Sequence, residues 1–433
     1  MTDQTALNRR TLLAGLGTAA LAGAAAPALA RSLPALPASN PGTDAGYWDA
    51  VRRLYSVTPE MVNLENGYWG IMAEPVKAEY KRLTDFVNFE NTVYARSKIG
   101  QDLDDVRTPV AAFLGVAREE IALTRGATEA LQTLIAGYNK LKPGDSVLYA
   151  DLDYDSMQYA MNWLKNRRGV EVARFDIPEP ATKANVLESY EAALNANPKT
   201  RLLLLTHISH RTGLMMPVRE LAAMARARGI DVILDAAHSW GQIDFKAKDL
   251  GVDFIGFNLH KWIGAPLGVG VIYIARERLA DIDTHYGDED FKPDDVRSRI
   301  HTGTPNFAAQ LTVPAALALH QEVGPQAKEA RYRHLRNYWV ARARELKGVE
   351  IQTPDDPEMV AGITSFALTG KRSAADCNAV VAALRDRHKV MTVRRGGVAK
   401  GNTIRISPAP YLMEADLDRF IAALAVVSGN RAG

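Results

Sequence analysis

The chain has 433 residues, with 52 basic against 50 acidic side chains and a formal charge of +2. That balance gives no basic stripe for nucleic acid, and 47% hydrophobic content suits a globular protein with room for a large and a small domain. Cys377 is the only cysteine, which excludes an internal disulfide and a cysteine-based metal centre, and no metal is expected.

Residues 1–30 carry Arg9-Arg10 ahead of an Ala/Gly-rich apolar run that ends Ala28-Leu29-Ala30. This resembles a twin-arginine export signal with a small-x-small cleavage site. It predicts passage through the twin-arginine machinery in folded form and a periplasmic or secreted destination. The run is too weakly hydrophobic to predict stable membrane insertion after cleavage. Residues 31–46 are rich in Pro, Ser and Gly and read as a flexible lead-in, within an N-terminal arm reaching residue 62. No internal repeat is visible.

A short helix is predicted over 48–54, a loop at Asn66-Gly67 to Gly70, and helices over 74–91 and 102–114. A strand at 121–124 leads through Arg125-Gly126 into a helix whose Ala127, Ala130, Leu131, Leu134, Ile135 and Tyr138 share one apolar face. Taken on spacing alone, Gly126-Ala127-Thr128 simply turns and caps that helix. The same unpaired N–H groups and helix dipole also make an anion site. Strands follow near 146–150, 170–177 and 201–206, alternating with helices over 157–168 and 185–197. Tyr154 stands just after the first of these strands; His210 and Arg211 stand just after the last.

The stretch 231–274 organises the chain. It reads as three apolar strands, DVILDAA, VDFIGFN and GVGVIYI, with Asp235 and His238, then Asn258, His260 and Lys261, where the first two end. Open α/β sheets build their sites at such ends. A lysine and an aspartate set beside strands that must be buried fit a Schiff base with pyridoxal phosphate (PLP). The carboxylate of Asp235 would keep the ring nitrogen protonated, and Lys261, partly desolvated, would serve as anchor and as acid/base. Beyond it a long charged helix is predicted over 326–347. Strands at 362–368, 390–394 and 403–406 and a helix over 374–387 then make an α+β layer.

Asp235-Ala236-Ala237-His238, then Asn258-Leu259-His260-Lys261-Trp262 and a Gly-rich strand, resemble the PLP enzymes of aminotransferase class V, fold type I. That family includes cysteine desulfurases, kynureninase and isopenicillin N epimerase, and the likeness runs from about Asn63 to Tyr411. It implies a large PLP-binding domain over 63–324, with a mostly parallel seven-stranded sheet flanked by helices, and a smaller α+β domain over 325–433. It also implies a homodimer with shared active sites. In the family's pattern Ala127 and Thr128, with Asn258 and His260, meet the phosphate. Tyr154 takes the place of the ring stacked on the cofactor, and His238 the place of a donor to its phenolic oxygen. His210 stands where members often carry asparagine, and Thr304, in Gly303-Thr304-Pro305-Asn306, reaches the partner's cofactor. Arg405, in Arg405-Ile406-Ser407, holds the substrate carboxylate, and Arg211 and Tyr68 are further substrate contacts.

The implied activity lies at the α-carbon of an amino acid or an amino-acid-derived metabolite. The pattern is closest to the isopenicillin N epimerase-like branch, with aminotransferase and epimerase both open. A kynureninase-type lyase and a noncatalytic ligand-binding protein are the alternatives. A desulfurase needs a thiol on the loop 393–402, which reads VRRGGVAKGN and has none.

Overall fold

The computed structural model describes Leu36, residues 42–179 and residues 181–430; the export-signal reading of residues 1–30 lies outside the described residues. The strands are β1 (Val62–Asn63), β2 (Ile121–Thr124), β3 (Ser146–Ala150), β4 (Glu171–Phe175), β5 (Thr200–Thr206), β6 (Asp231–Asp235) and β7 (Phe254–Asn258). They continue with β8 (Gly270–Ile274), β9 (Val349–Ile351), β10 (Thr364–Leu368), β11 (Val390–Met391), β12 (Val393–Arg395) and β13 (Thr403–Ile406). Seven of them form one sheet in the order β2-β8-β7-β6-β5-β3-β4. Only β8 runs against its neighbours, so the sheet is mostly parallel.

A strand buried on both faces reads as a continuous apolar run, and the middle of β5 does: Leu202 and Leu204 enter one core, Leu203 and Leu205 the other. Each such leucine contributes about 1.5–3 kcal/mol of burial. Helix Ala127–Gly137 lays its predicted apolar face on the first of these cores. It sits so close that a Cβ at Gly256 would meet Leu131 Cγ at 2.6 Å.

A second, antiparallel sheet follows in the order β12-β13-β10-β9. Helices Ala374–His388 and Glu414–Val427 pack with it around Trp339, Phe366 and Phe420. The α/β fold with a smaller C-terminal sheet unit is thus as the sequence predicts. Two elements differ. The strand predicted over 390–394 is two strands: β11 pairs in parallel with β1, while β12 joins β13. Both halves are extended, so alternation alone shows no break at the buried Thr392 that hands the chain between sheets. The helix predicted to stop at residue 91 resumes after a break at Asn91 (φ 49°, ψ −134°) and runs to Ser97.

The strands β2, β3, β5, β6 and β7 point the same way, so the residues that follow them gather along one edge of the large sheet. The small sheet closes over that edge.

Candidate active site

A cavity of about 1050 Å³ opens at this edge. Of the residues singled out from sequence, Tyr68, Ala127, Thr128, Tyr154, His210, Asp235, His238, Asn258, His260, Lys261 and Arg405 line it; Arg211 and Thr304 do not. Four strand ends, one helix start, the Tyr68 loop and strand β13 therefore deliver residues spread over more than 300 positions to one space.

At its floor the Lys261 amine lies 3.0 Å from His238 Nε2. Burial, reinforced by the Arg405 guanidinium and opposed by Asp235, pushes the Lys261 ammonium down to about 7. Near neutrality a large fraction of the amine is therefore unprotonated, as nucleophilic attack requires. Burial raises the Asp235 carboxyl above its ordinary range, while the Ala237 N–H, 2.9 Å from Oδ1, and the Lys261 charge work against that rise. His238 is held neutral by burial and by Lys261, and its Nδ1 is buried with no hydrogen-bond partner.

The helix start at Ala127 forms the second wall. Asn258 Oδ1 accepts the Ala127 N–H at 2.7 Å, so Asn258 braces the turn and takes up the first donor itself. Thr128 and Glu129 remain in the first turn, where no intrahelical acceptor exists. His260 Nδ1 lies 3.1 Å from the Val269 carbonyl, which fixes its ring, and burial pushes it down to about 4. The backbone is packed tightly here: a Cβ at Gly126 would stand 3.1 Å from Asn258 Oδ1 and 3.3 Å from His260 Cε1. Open N–H groups at a helix start beside two neutral, fixed side chains are an anion cradle.

The third wall comes from the small sheet. Arg405 is only 1% exposed, on an interior strand rather than an edge. Its Nε and Nη2 donate to the two carboxylate oxygens of Glu65, and Nη1 donates to the His210 carbonyl at 2.9 Å. Arg395 Nη2 donates to the same Glu65 at 3.2 Å, and Arg395 also lines the cavity. Two guanidinium groups thus share one resident carboxylate, leaving one unit of positive charge at the wall.

Arg211 turns away: its guanidinium is buried against the Gly396 carbonyl and Asp155 Oδ1 (2.5 Å), tying the small-sheet loop to the large sheet. Gly397, at φ +82°, lies in the backbone region that favours glycine, and a Cβ there would displace the Arg211 guanidinium. Tyr154 meets the His210 ring edge-on at 5.0 Å, and Tyr68 is mostly exposed at the mouth. Thr304 is exposed on the surface of its own chain.

Sequence reading missed Glu65, Arg395 and Asp153. Asp153 is buried behind the floor, accepts the Thr206 hydroxyl at 2.7 Å and the Ala150 N–H at 2.7 Å, and is raised to about 7 mainly by burial. The spacing of Asp151 and Asp153 at the end of β3 was the available signal, since charges at such ends are the rule in these sheets.

The family model described as Aminotransferase class-V matches residues 74–420. The chain belongs to that family. An isopenicillin N epimerase of Streptomyces clavuligerus is 28% identical over 88% of this class-V chain and 99% of its own length. A cysteine desulfurase of Yersinia pestis is 27% identical over 75% and 82%. A solved cystine C–S lyase variant, with glycine covalently linked to its PLP cofactor, superposes with a TM-score of 0.75 at 20% identity. It covers 86% of this chain and 98% of its own. The cysteine desulfurase CsdA of Escherichia coli gives 0.73 at 19% identity, over 88% and 98%.

PLP is the cofactor of this class-V fold, and the residues present fit it. The buried amine of Lys261, the buried carboxyl of Asp235, the neutral imidazole of His238 and the open helix start share one cavity, one for each polar feature of the group.

Proposed function

We propose that the protein acts at the α-carbon of an amino acid or amino-acid-derived metabolite by moving a proton there, as an epimerase or an aminotransferase. The observation that carries this is the Lys261 amine, pushed down to about 7 by burial and facing His238 in the cavity that Asp235 floors. When bound, PLP supplies an electron sink that accepts negative charge from the substrate carbon. Lys261 would hold it covalently, and its amine would carry the proton to or from the α-carbon. Asp235 holds a proton at the ring nitrogen, Thr128 with Ala127, Asn258 and His260 cradle the phosphate, and His238 faces the phenolic oxygen. Tyr154 orients the ring plane, and Tyr154 and His210 border the face from which a second proton transfer would come.

The small-sheet wall attracts the substrate carboxylate through Arg405, whose charge Glu65 shares with Arg395. Sulfur transfer is disfavoured, because Cys377 is buried on helix Ala374–His388, bonds the Lys371 carbonyl and lies outside the cavity. The reading extends to a homodimer in which Thr304 reaches the partner's phosphate, and to folded export through the twin-arginine route to the periplasm. The two isopenicillin N epimerases, at 28% and 26% identity across 88% of the chain, support proton transfer over sulfur chemistry.

The test is incubation of the purified holoenzyme with pools of L- and D-amino acids in D₂O. Deuterium at the α-carbon with inversion supports epimerisation, and deuterium with keto acid supports transamination. Turnover of amino acids with neither would sink the proposal.

A further inference from the structure

Lys328 sits in the first turn of helix Pro325–Ala343, buried, with no carboxylate within ion-pair distance among the described residues. A lysine stem could be replaced by a purely apolar one at such a position without loss of packing. A buried amine instead costs free energy unless its hydrogen bonds are met. Here they are met by two neighbours: Nζ donates to the Trp262 carbonyl at 2.7 Å and lies 3.2 Å from His320 Nδ1. Burial pushes this amine too down to about 7, so a neutral form that donates to the carbonyl and accepts from the imidazole fits the pair.

Trp262 directly follows Lys261, and three successive carbonyls of this turn are each fixed by a separate donor. The Gly70 N–H meets the His260 carbonyl at 2.9 Å, the Gly264 N–H meets the Lys261 carbonyl at 3.2 Å, and Lys328 meets the third. The backbone around this turn is packed closely: a Cβ at Gly70 would strike the Lys261 carbonyl oxygen at 2.0 Å, and one at Gly241 would strike Trp262 C at 2.7 Å. The indole of Trp262 is wedged between His238 (6.1 Å) and Tyr332 (5.2 Å), the latter one turn along the same helix as Lys328.

That helix faces the other way as well. Arg331, three residues on, donates to the Leu412 carbonyl at 2.6 Å, to the Gly42 carbonyl at 3.1 Å and to Glu414 at 2.8 Å. One helical turn therefore grips the turn that carries the reactive lysine, and the next grips the segment leading into helix Glu414–Val427.

We propose that Lys328 is a positioning residue for Lys261: through the Trp262 carbonyl it fixes where the Lys261 amine points and couples that direction to the placement of the small sheet. This rests on Lys261 being the point of PLP attachment. Misplacing a reacting group by about 1 Å costs on the order of 100-fold.

The test uses the PLP-loaded protein. Lys328→Met keeps the stem and removes the donor; Val340→Ala, buried farther along the same helix, is the control for lost packing. In Lys328→Met the pH midpoint of the bound-cofactor absorbance is expected to move by about one unit, because the Lys261 nitrogen that carries the cofactor is no longer fixed beside His238. PLP release is expected to be about 10-fold faster, as for loss of other supports behind a ligating group. Val340→Ala should lower the melting temperature and leave both readings in place. An unmoved midpoint in a folded Lys328→Met protein overturns the proposal. If Lys328→Met does not fold, Lys328→Leu, which also lacks a donor, is read the same way, with a displaced midpoint supporting and an unmoved one overturning. Failure of borohydride to fix PLP to the unaltered protein at Lys261 overturns both this inference and the attachment it rests on. Fixation with an unmoved variant midpoint overturns this inference alone.

Discussion

The two sides of the cavity treat charge in opposite ways. On the large sheet, Lys261 and Asp235 are buried without a direct ion pair, and each is displaced toward its neutral form. On the small sheet, Arg405 and Arg395 are closed onto Glu65 and the His210 carbonyl. Under-satisfied groups are primed to exchange protons and partners, whereas satisfied ones are primed to stay put. The comparison assigns proton transfer to the floor, and shape together with the pull on the substrate carboxylate to the wall.

The hardest way to break it is Lys261→Ala, which should remove borohydride-fixable PLP and lower turnover by at least about 1000-fold. A variant that still fixes PLP, seen as an unchanged mass adduct, would refute the floor's role. Asp235→Asn keeps the shape but loses the charge; kcat should fall about 100-fold with KM little changed, and near-normal kcat would count against the ring-nitrogen contact. The wall should respond in stability instead. Glu65→Gln strands the buried Arg405 charge and should cost about 3 kcal/mol in urea unfolding, and a neutral result would show that the pairing is not what holds the wall.

Proton linkage sharpens the contrast further. Lys261 and Lys328 stand at about 7 in the folded chain. An unfolded lysine titrates near about 10.4, so between those values the unfolded state binds more protons. The cofactor-free protein should therefore gain stability as pH rises from 7 to 9, by up to about 1 kcal/mol per pH unit for each lysine. Lys328→Met should roughly halve that slope, and a flat urea midpoint across this range in the unaltered protein would contradict it. The smallest effect belongs to Cys377→Ser, expected to leave kcat within about twofold, since the thiol is remote from the cavity.

The floor was legible because its residues sit at the ends of strands whose apolar runs announce themselves: VIL before Asp235, DFIGF before Asn258. The phosphate-side helix was legible from its 3.6-residue periodicity. The wall was not. Glu65 and Arg405 meet across 340 residues, and nothing in Asn63-Leu64-Glu65-Asn66 indicates which guanidinium the carboxylate will find. Arg211 reads as a loop charge, yet it is buried because Asp155 and the Gly396 carbonyl accept from its two terminal nitrogens. The buried Lys328 hides in the same way, inside a helix whose four arginines predict a solvated face. Local pattern reports which elements form; the pairing of charges depends on how distant elements dock.

The short parallel pairing of β1 with β11 joins the segment carrying Glu65 and Tyr68 to a strand made near the end of the polypeptide. During synthesis that segment waits, unpaired, until residue 390 has left the ribosome, whereas the large sheet has all its strands by residue 274. The doorway is thus hung last, over a room already framed, and a vitamin-derived guest has its widest entrance just before the chain is finished.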